Sequence, residues 1–228
     1  MMRLLKRILP DHPVPMPILR GPFRGATVVM NPRASMRKAL GLYEHELNAW
    51  LGAALGRVRR VIDVGANDGY FTFGALAAFR RRGVRGQVIA FEPQGHLART
   101  LREQAEAARL SPEHVRIVEA FVGNQVDEGM TTLDALPGED RGGSLVKIDV
   151  EGAEIDVIAG AASWLRPDNL FVIEVHREEY LDALTRTFAD RGLTLRRIDQ
   201  RPLPLLGREM RDVDNWWLVS EISPGNGR

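Results

Sequence analysis

The stretch VIDVGANDG at residues 61–69 decides the fold, because it combines a short apolar run with a glycine-rich corner. The apolar run predicts a buried strand, Gly65 and Gly69 predict a sharp turn, and a helical pattern follows from Tyr70. In open α/β sheets a ligand binds beyond the carboxyl ends of the strands, where such a turn lets it approach the backbone. The stretch therefore predicts a ligand site at its corner.

Short apolar runs alternate with helical patterns after this corner, which indicates parallel strands joined by right-handed crossovers. Two further strand-like runs near the end of the chain follow each other through a Pro-rich loop, with no helix between them, and predict a closing antiparallel hairpin. The predicted parallel strands are residues 58–64, 87–92, 115–120, 144–149 and 170–175, and the predicted hairpin strands are residues 193–198 and 215–219.

Residues 1–36 are predicted to form an N-terminal arm, and residues 37–228 to form the domain that carries the corner. Six of the 13 prolines lie in the first 32 residues, so the arm is expected to be extended and to dock without forming sheet. Apolar residues spaced by three and four predict one amphipathic helix from about Met36 to Gly56. Later helices are predicted around residues 97–105, 155–165 and 181–188.

The composition excludes several classes of partner. The 228 residues carry 31 basic and 30 acidic side chains, so no net field attracts nucleic acid. The absence of cysteine excludes disulfides and thiolate metal sites. No segment approaches the ~20 apolar residues of a membrane-spanning helix, and Pro10 interrupts the basic, apolar N-terminus too early for a signal peptide. We therefore expect a cytoplasmic protein without stable membrane insertion.

The corner and the end of the second predicted strand together indicate an adenosine cofactor. Glu92 ends that strand, where its carboxylate could accept the two hydroxyls of a ribose. A dinucleotide would need three glycines against its pyrophosphate, but Asn67 and Tyr70 stand at the second and third positions. S-adenosylmethionine lacks a pyrophosphate, and its ammonium and sulfonium favour nearby acids such as Asp63 and Asp68. We therefore expect S-adenosylmethionine.

Charged residues alternate along the fourth predicted strand, at Lys147, Asp149 and Glu151. They share one face of a strand that would be buried on both faces, so they must be paired or used. Glu174 and His176 end the next strand and would face the same crevice. Lys147 could equally form a buried ion pair with Glu174 or with Asp149.

Asp149, Glu151 and His176 are the catalytic candidates, because they lie nearest the strand ends. His176 would act as the proton acceptor. The alternative is a purely structural role, in which its side chain caps the helix that follows. Asp149, Glu174 and His176 have suitable side chains for a metal, but they are dispersed along the sequence, and no metal is expected.

The sequence resembles the FkbM family of methyltransferases, a branch of the class I S-adenosylmethionine enzymes. The similar segments keep their order and spacing over roughly four fifths of the chain. They are LGLYE at residues 40–44, the corner at residues 63–69, FEP at residues 91–93, TTLDAL at residues 131–136, KIDVEGAE at residues 147–154 and EVH at residues 174–176.

The resemblance implies an α/β, Rossmann-like class I fold, with a seven-stranded mostly parallel sheet, a C-terminal antiparallel hairpin and helices on both faces. Relatives mostly methylate hydroxyl groups of saccharides, polyketides and other secondary metabolites, so a saccharide or other small-molecule acceptor is expected. A homodimer is left open. The cofactor residues implied by the corner and by the ends of the neighbouring strands are Asp63, Gly65, Ala66, Asn67, Gly69, Phe71, Glu92, Pro93, Phe121 and Asp149.

The sequence also departs from the family in two segments and leaves two other functions open. Residues 120–123, after the third predicted strand, carry no acidic or amide side chain where relatives often have one near the adenine. Only residues 124–130 separate Gly123 from Thr131, so a substrate-facing hairpin is expected to be missing. An N-methyltransferase is the first alternative, although such enzymes typically carry two prolines and an aromatic residue where this chain has DVEG at residues 149–152. The second alternative is a non-catalytic or carrier-directed domain that binds an adenosine cofactor.

Overall fold

The computed structural model describes residues 9–138, 140–203 and 215–222. The strands are β1 (Val14–Pro17), β2 (Thr27–Met30), β3 (Arg60–Val64), β4 (Gln87–Phe91), β5 (Val115–Val118), β6 (Phe121–Val122), β7 (Met130–Thr131), β8 (Ser144–Ile148), β9 (Leu170–Val175), β10 (Leu195–Ile198) and β11 (Trp216–Ser220). The α-helices are α1 (Pro32–Ala39), α2 (Asn48–Ala54), α3 (Tyr70–Arg81), α4 (Gly95–Ala107), α5 (Glu154–Ala159) and α6 (Glu178–Ala189). Single turns of 3₁₀ helix lie at His45–Leu47, Leu133–Ala135 and Ala162–Trp164.

A seven-stranded sheet of order β10-β11-β9-β8-β3-β4-β5 forms the centre of the structure. Its strands from β3 to β9 pair in parallel, whereas β11 runs antiparallel to both β9 and β10. The predicted Rossmann-like sheet and its closing hairpin are therefore confirmed. Most of the Pro-rich loop before β11, at residues 204–214, and the basic start at residues 1–8 lie outside the described residues.

Two apolar cores cover the two faces of this sheet, as expected for strands that are buried on both sides. One core lies under the N-terminal segment, α3 and α4, and the other lies under α5 and α6. Within the described residues, no helix is long and apolar enough to cross a membrane. Because α3 starts at the corner, its packing against the first core positions the end of β3.

The proline-rich arm forms a small antiparallel hairpin from β1 and β2, so the prediction that it docks without forming sheet is wrong. Proline is tolerated here because a two-stranded sheet consists only of edge strands. The turn of the hairpin carries Phe23, whose ring centroid lies 5.1 Å from that of Tyr70 and 5.2 Å from that of Phe71. The arm thus docks on the first turn of α3, next to the corner.

The single helix predicted from Met36 to Gly56 is also wrong, because the chain breaks between α1 and α2. The break contains two left-handed residues, Gly41 with φ of 68° and Glu44 with φ of 47°. A Cβ atom on Gly41 would lie 2.3 Å from the carbonyl oxygen of Arg20. The apolar spacing continues through this turn, but the close backbone contact with the arm ends the helix.

Two further segments are shorter or more ordered than the sequence indicates. The helix predicted for residues 155–165 ends at Ala159, and a Cβ on the following Gly160 would lie 2.0 Å from the carbonyl oxygen of Gly123. The short connection at residues 124–130 carries no long hairpin; the two-residue strands β6 and β7 pair across it, and a single antiparallel bridge joins Asp127 to Met130. Both segments lie beside the carboxyl ends of the central strands.

Replacing Gly41 by alanine should destabilise the N-terminal segment, because the left-handed φ and the nearby Arg20 carbonyl both oppose a Cβ atom. We expect a loss of at least about 1–3 kcal/mol in the free energy of unfolding. Gly52 lies within α2, and a Cβ atom there would have no heavy atom within 4 Å outside its own helix turn and chain neighbours, so Gly52→Ala should stabilise by about 0.5–1 kcal/mol. Urea unfolding followed by tryptophan fluorescence measures both changes, and equal effects of the two substitutions would contradict this account.

Candidate active site

The glycine corner is held between the ends of two neighbouring strands. The backbone amides of Gly65 and Ala66 donate to the carbonyl oxygen of Phe91 at 3.0 and 2.9 Å. Gly65 has a φ of 81°, and a Cβ atom there would lie 1.8 Å from the carbonyl oxygen of Asp149. Only glycine therefore lets β3, β4 and β8 end at one point.

Glu92 locks the other side of this corner and is only 3% exposed. Its Oε2 accepts from the backbone amide of Asn67 at 2.8 Å, and its Oε1 accepts from that of Gln94 at 2.9 Å. Each carboxylate oxygen can accept a second hydrogen bond, so the Glu92 carboxylate remains able to bind ligand hydroxyls. The backbone holds its orientation before any ligand arrives.

A cavity of about 350 Å³, which we call the main cavity, opens between the ends of β3, β4 and β8. Three carboxylates line it, those of Glu92, Asp149 and Glu151, and the described lining residues include no lysine, arginine or histidine. Phe121 contributes an aromatic side chain to this lining, and the residue as a whole is 59% exposed. The predicted cofactor residues that line this cavity are Gly65, Asn67, Glu92, Pro93, Phe121 and Asp149.

The other predicted cofactor residues lie elsewhere around the corner. Ala66 and Phe71 line a second, smaller cavity on the side of the N-terminal segment. Asp63 is fully buried beneath the corner, where Thr72 Oγ1 donates to its Oδ2 at 2.5 Å. Gly69 precedes α3 with a φ of 85°, and it lines neither cavity. The contacts of Asp63 and Gly69 shape the corner.

The ammonium of Lys147 joins the carboxylates at the ends of β3 and β8. Its Nζ lies 3.2 Å from Asp63 Oδ1 and 3.4 Å from Asp149 Oδ2, and it donates to the carbonyl oxygen of Gly65 at 2.6 Å. Burial by itself lowers the pKa of Lys147, but Asp63 and Asp149 outweigh that effect and raise the pKa above its ordinary value. Of the two predicted ion-pair partners, the structure selects Asp149.

Glu174, the other partner considered for Lys147, forms a hydrogen bond with the side chain of Asp149. Glu174 is 4% exposed and accepts a hydrogen bond from the side-chain amide of Asn215. Burial raises the pKa of Asp149, but the charge of Lys147, a hydrogen bond with Glu174 and the charge of His176 together lower it below its ordinary value. Asp149 is therefore ionised next to the main cavity.

His176 lies where the sequence places it, beside Asp149 and Glu151. Its Nε2 is 3.4 Å from Glu151 Oε2 and 3.9 Å from Asp149 Oδ1. Its Nδ1 is 2.6 Å from Oε1 of Glu154, a residue with no exposed surface. His176 is therefore held by Glu154 at the start of α5, the helix that precedes β9. The expected alternative, a cap on α6, does not describe this contact.

Glu154 is the residue of this group that sequence reasoning missed. It begins α5, where an acidic residue commonly faces solvent and favours the helix N-terminus. Here Glu154 Oε1 also accepts from the backbone amide of Gly152 at 3.0 Å. Burial lowers the pKa of His176, but the hydrogen bond and charge of Glu154, then the charges of Asp149 and Glu151, raise it above its ordinary value.

The side chains of Asp149, Glu151 and His176 also offer ligand atoms for a cation. One ligand atom each from Asp149, Glu151 and His176 lies within 4.8 Å of the others. This set differs from the one considered from sequence, because Glu151 takes the place of Glu174. A protonated imidazole between two carboxylates satisfies the same atoms, so the arrangement is complete as an ion cluster.

Comparison with known proteins agrees with this architecture. Residues 100–195 match the family model of the methyltransferase FkbM domain, a range that includes the end of β8, Glu154 and His176. No curated protein matches the chain by sequence.

Many solved structures are similar in fold, among them two methyltransferases of bacteria. An FkbM methyltransferase of Methylobacillus flagellatus is 16% identical with a TM-score of 0.57, over 80% of this chain and 54% of that protein. The chain thus spans about half of that protein's length. An S-adenosylmethionine-dependent O-methyltransferase of Thermotoga maritima is 14% identical with a TM-score of 0.52, over 78% of this chain and 66% of that protein.

Removing the Lys147 charge should destabilise the whole domain. Lys147→Met keeps the aliphatic stem but leaves Asp63 and Asp149 without their cation, which should cost about 3–5 kcal/mol of unfolding free energy. Arg102→Met is the matched control, because Arg102 and Glu119 form an ion pair whose side chains are 44% and 45% exposed. That loss should be about 0–1 kcal/mol, and chemical denaturation that ranks the two variants the other way would refute the role given to Lys147.

Proposed function

We infer that this chain, a member of the FkbM family of class I methyltransferases, transfers the methyl group of S-adenosylmethionine to a hydroxyl oxygen of a saccharide or another small metabolite. The observation that carries the inference is the charge of the main cavity, with three carboxylates and no basic side chain among the described lining residues. A sulfonium nucleoside brings positive charge to these acids, whereas the pyrophosphate of a dinucleotide would bring negative charge.

The shape of the main cavity supports the same cofactor. Its volume of about 350 Å³ falls in the range of ~300–1000 Å³ that is usual for small-molecule sites. Glu92 would accept the ribose hydroxyls, because its carboxylate is already oriented by two backbone amides. Phe121 would lie against the adenine ring, with its apolar neighbours Pro93 and Val122 along the same wall.

When bound, S-adenosylmethionine supplies a methyl carbon that an acceptor oxygen can take while the sulfur leaves as a neutral thioether. The proton of the acceptor hydroxyl would pass to His176 Nε2 as the new bond forms. Glu154 holds Nδ1 on the other side of the ring and stabilises the imidazolium that results. Such general-base assistance contributes about 10²- to 10⁴-fold to rate.

Asp149 and Glu151 flank the same imidazole nitrogen and have different tasks. Asp149 is bound to Lys147 and would orient the acceptor hydroxyl between the main cavity and His176. Glu151 has a side chain that is 83% exposed and lies at the mouth of the site. It can take the proton onward from His176 to water.

The identity of the cofactor is tested by titration calorimetry on the full chain. S-adenosylmethionine and S-adenosylhomocysteine should bind, and NAD should not. Glu92→Gln places an amide nitrogen against a backbone donor, so it should weaken S-adenosylmethionine by about tenfold or more. Glu119→Gln, at an exposed carboxylate after β5, should leave the affinity unchanged. Binding of NAD in preference to the sulfonium nucleoside would overturn the assignment.

The role of His176 is tested by its titration and by turnover. Because its pKa is raised, we expect a histidine resonance that titrates above 6.5 in NMR spectra, and Glu154→Gln should move that pKa downward. Only neutral imidazole accepts a proton, so methyl transfer to a panel of saccharides should increase as pH rises through this pKa. The rising limb should shift to lower pH in Glu154→Gln. Unchanged turnover in His176→Ala would remove His176 from the mechanism.

A further inference from the structure

A second cavity, of about 50 Å³, lies on the opposite side of the glycine corner, and we call it the side cavity. It shares Gly65, Asn67 and Asp149 with the lining of the main cavity. Its remaining wall includes Lys38 and Tyr43, which belong to the N-terminal segment. The two cavities therefore adjoin at the corner, and a ligand long enough to cross the corner would contact both.

The side cavity differs from the main cavity in its charge. Both signs occur in its lining, with Lys38 and Lys147 opposed by Glu44, Asp68 and Asp149. A lining of this kind suits a zwitterion better than it suits a simple anion or cation, because each charge of a zwitterion finds a partner of opposite sign. The charged residues that line the main cavity are all acidic, so that cavity offers no cationic side chain to a carboxylate.

Lys38 is positioned to use one of its donors on a ligand. Its Nζ lies 2.5 Å from Asp68 Oδ2, and its side chain is 17% exposed. The same Nζ lies 5.0 Å from the ring centroid of Tyr43 and 5.5 Å from that of Tyr70, so two aromatic rings hold it in place. An ammonium has three donors, and the contact with Asp68 uses one of them.

Trp217 offers a second hydrogen-bond donor, its indole N–H, to a ligand in the side cavity. Trp217 lines the side cavity and is 2% exposed, yet its Nε1 has no hydrogen-bond partner among the described residues. The other two buried tryptophans are satisfied, because Trp50 Nε1 donates to Ser220 O at 2.8 Å and Trp164 Nε1 donates to Leu133 O at 2.9 Å. A buried indole N–H normally has an acceptor, so Trp217 lacks one that a ligand can provide.

We propose that the side cavity binds the α-amino acid end of the methionine moiety, with its carboxylate held by Lys38 and Trp217 Nε1 and its ammonium beside Asp149. The proposal rests on the proposed function, since it assumes that the adenosine end occupies the main cavity. It assigns cofactor recognition to Lys38 in α1 and to Trp217 in β11, and both lie outside the segment that matches the family model. The N-terminal segment is then part of the cofactor site.

The experiment compares ligands with and without the amino acid end on the full chain. Titration calorimetry with S-adenosylhomocysteine, 5′-methylthioadenosine and decarboxylated S-adenosylmethionine separates the adenosine part, the whole amino acid end and its carboxylate. Wild-type protein should bind S-adenosylhomocysteine at least about tenfold more tightly than 5′-methylthioadenosine, as expected for charge-assisted hydrogen bonds. Decarboxylated S-adenosylmethionine should be weaker than S-adenosylmethionine by a similar factor.

Two conservative variants test the two donors. Trp217→Phe keeps the buried ring without its N–H, and Lys38→Met keeps the aliphatic stem without the charge. Each should weaken S-adenosylhomocysteine by about tenfold while changing 5′-methylthioadenosine by less than about twofold. Arg33→Met is the matched control, because Arg33 is a second cation of α1 that is paired with Asp11 outside both cavities. It should affect neither ligand.

The stability of the free protein distinguishes binding from a structural role. Trp217→Phe removes a donor that has no partner, so its melting temperature without ligand should stay the same or rise while its affinity for S-adenosylhomocysteine falls. If both variants weaken the two ligands equally, the amino acid end lies elsewhere and the proposal is overturned, while the proposed function stands. If wild-type protein binds none of the adenosine ligands, the proposed function itself fails.

Discussion

The buried contact between the ammonium of Lys147 and the carboxylates of Asp63 and Asp149 is the interaction on which the rest of the site depends. It joins the ends of β3 and β8, which would otherwise present two carboxylates to each other inside the sheet. The same ammonium binds the carbonyl oxygen of Gly65, and Thr72 on α3 donates to Asp63. One cation therefore holds two strands, the corner and the following helix in register.

Glu154 and His176 form a second pair next to the first, and here too a buried carboxylate is stabilised by a neighbouring basic side chain. A carboxylate with no exposed surface needs a positive or donating neighbour, and His176 provides it. In return, Glu154 fixes the orientation of the imidazole and directs Nε2 toward Asp149 and Glu151. The position of the imidazole in the site is thus set by a carboxylate with no exposed surface.

The central sheet was predictable from sequence, because short apolar runs alternate with amphipathic helices and each run is long enough to identify. The corner was predictable too, since Gly65 adopts a φ that other residues rarely adopt. The break at Gly41 was not, because it depends on a backbone contact with Arg20 that lies 21 positions away in the sequence. The hairpin of the N-terminal arm was not predictable either, because its prolines favour an extended chain whether or not that chain is paired.

Apart from Glu154, the charged side chains of the site were predictable as a set but not in their pairing. Alternation along β8 places Lys147 and Asp149 on one face, but it does not distinguish Asp63 from Glu174 as the partner of the ammonium. The register does, because Asp63 lies directly beside Lys147 in the β3–β8 pair. The sequence pattern is equally uninformative about Trp217, because two adjacent tryptophans predict only packing. The three-dimensional contacts are needed to see that the Trp217 indole nitrogen has no acceptor among the described residues.

Asp149 connects the two buried pairs, and its several contacts explain why an aspartate occupies this position. It lines both cavities, neutralises Lys147 and lies close to His176. An amide at this position would keep the shape but leave the buried ammonium with Asp63 alone, and it would also remove one of the charges that raises the pKa of His176. Glu151 is mostly exposed and shares the main cavity and the contact with His176, but it makes no ion pair with Lys147, so a change there should leave the corner intact. The two carboxylates after β8 therefore differ in their partners, because Asp149 pairs with the buried ammonium of Lys147 whereas Glu151 contacts His176 from the solvent-exposed side.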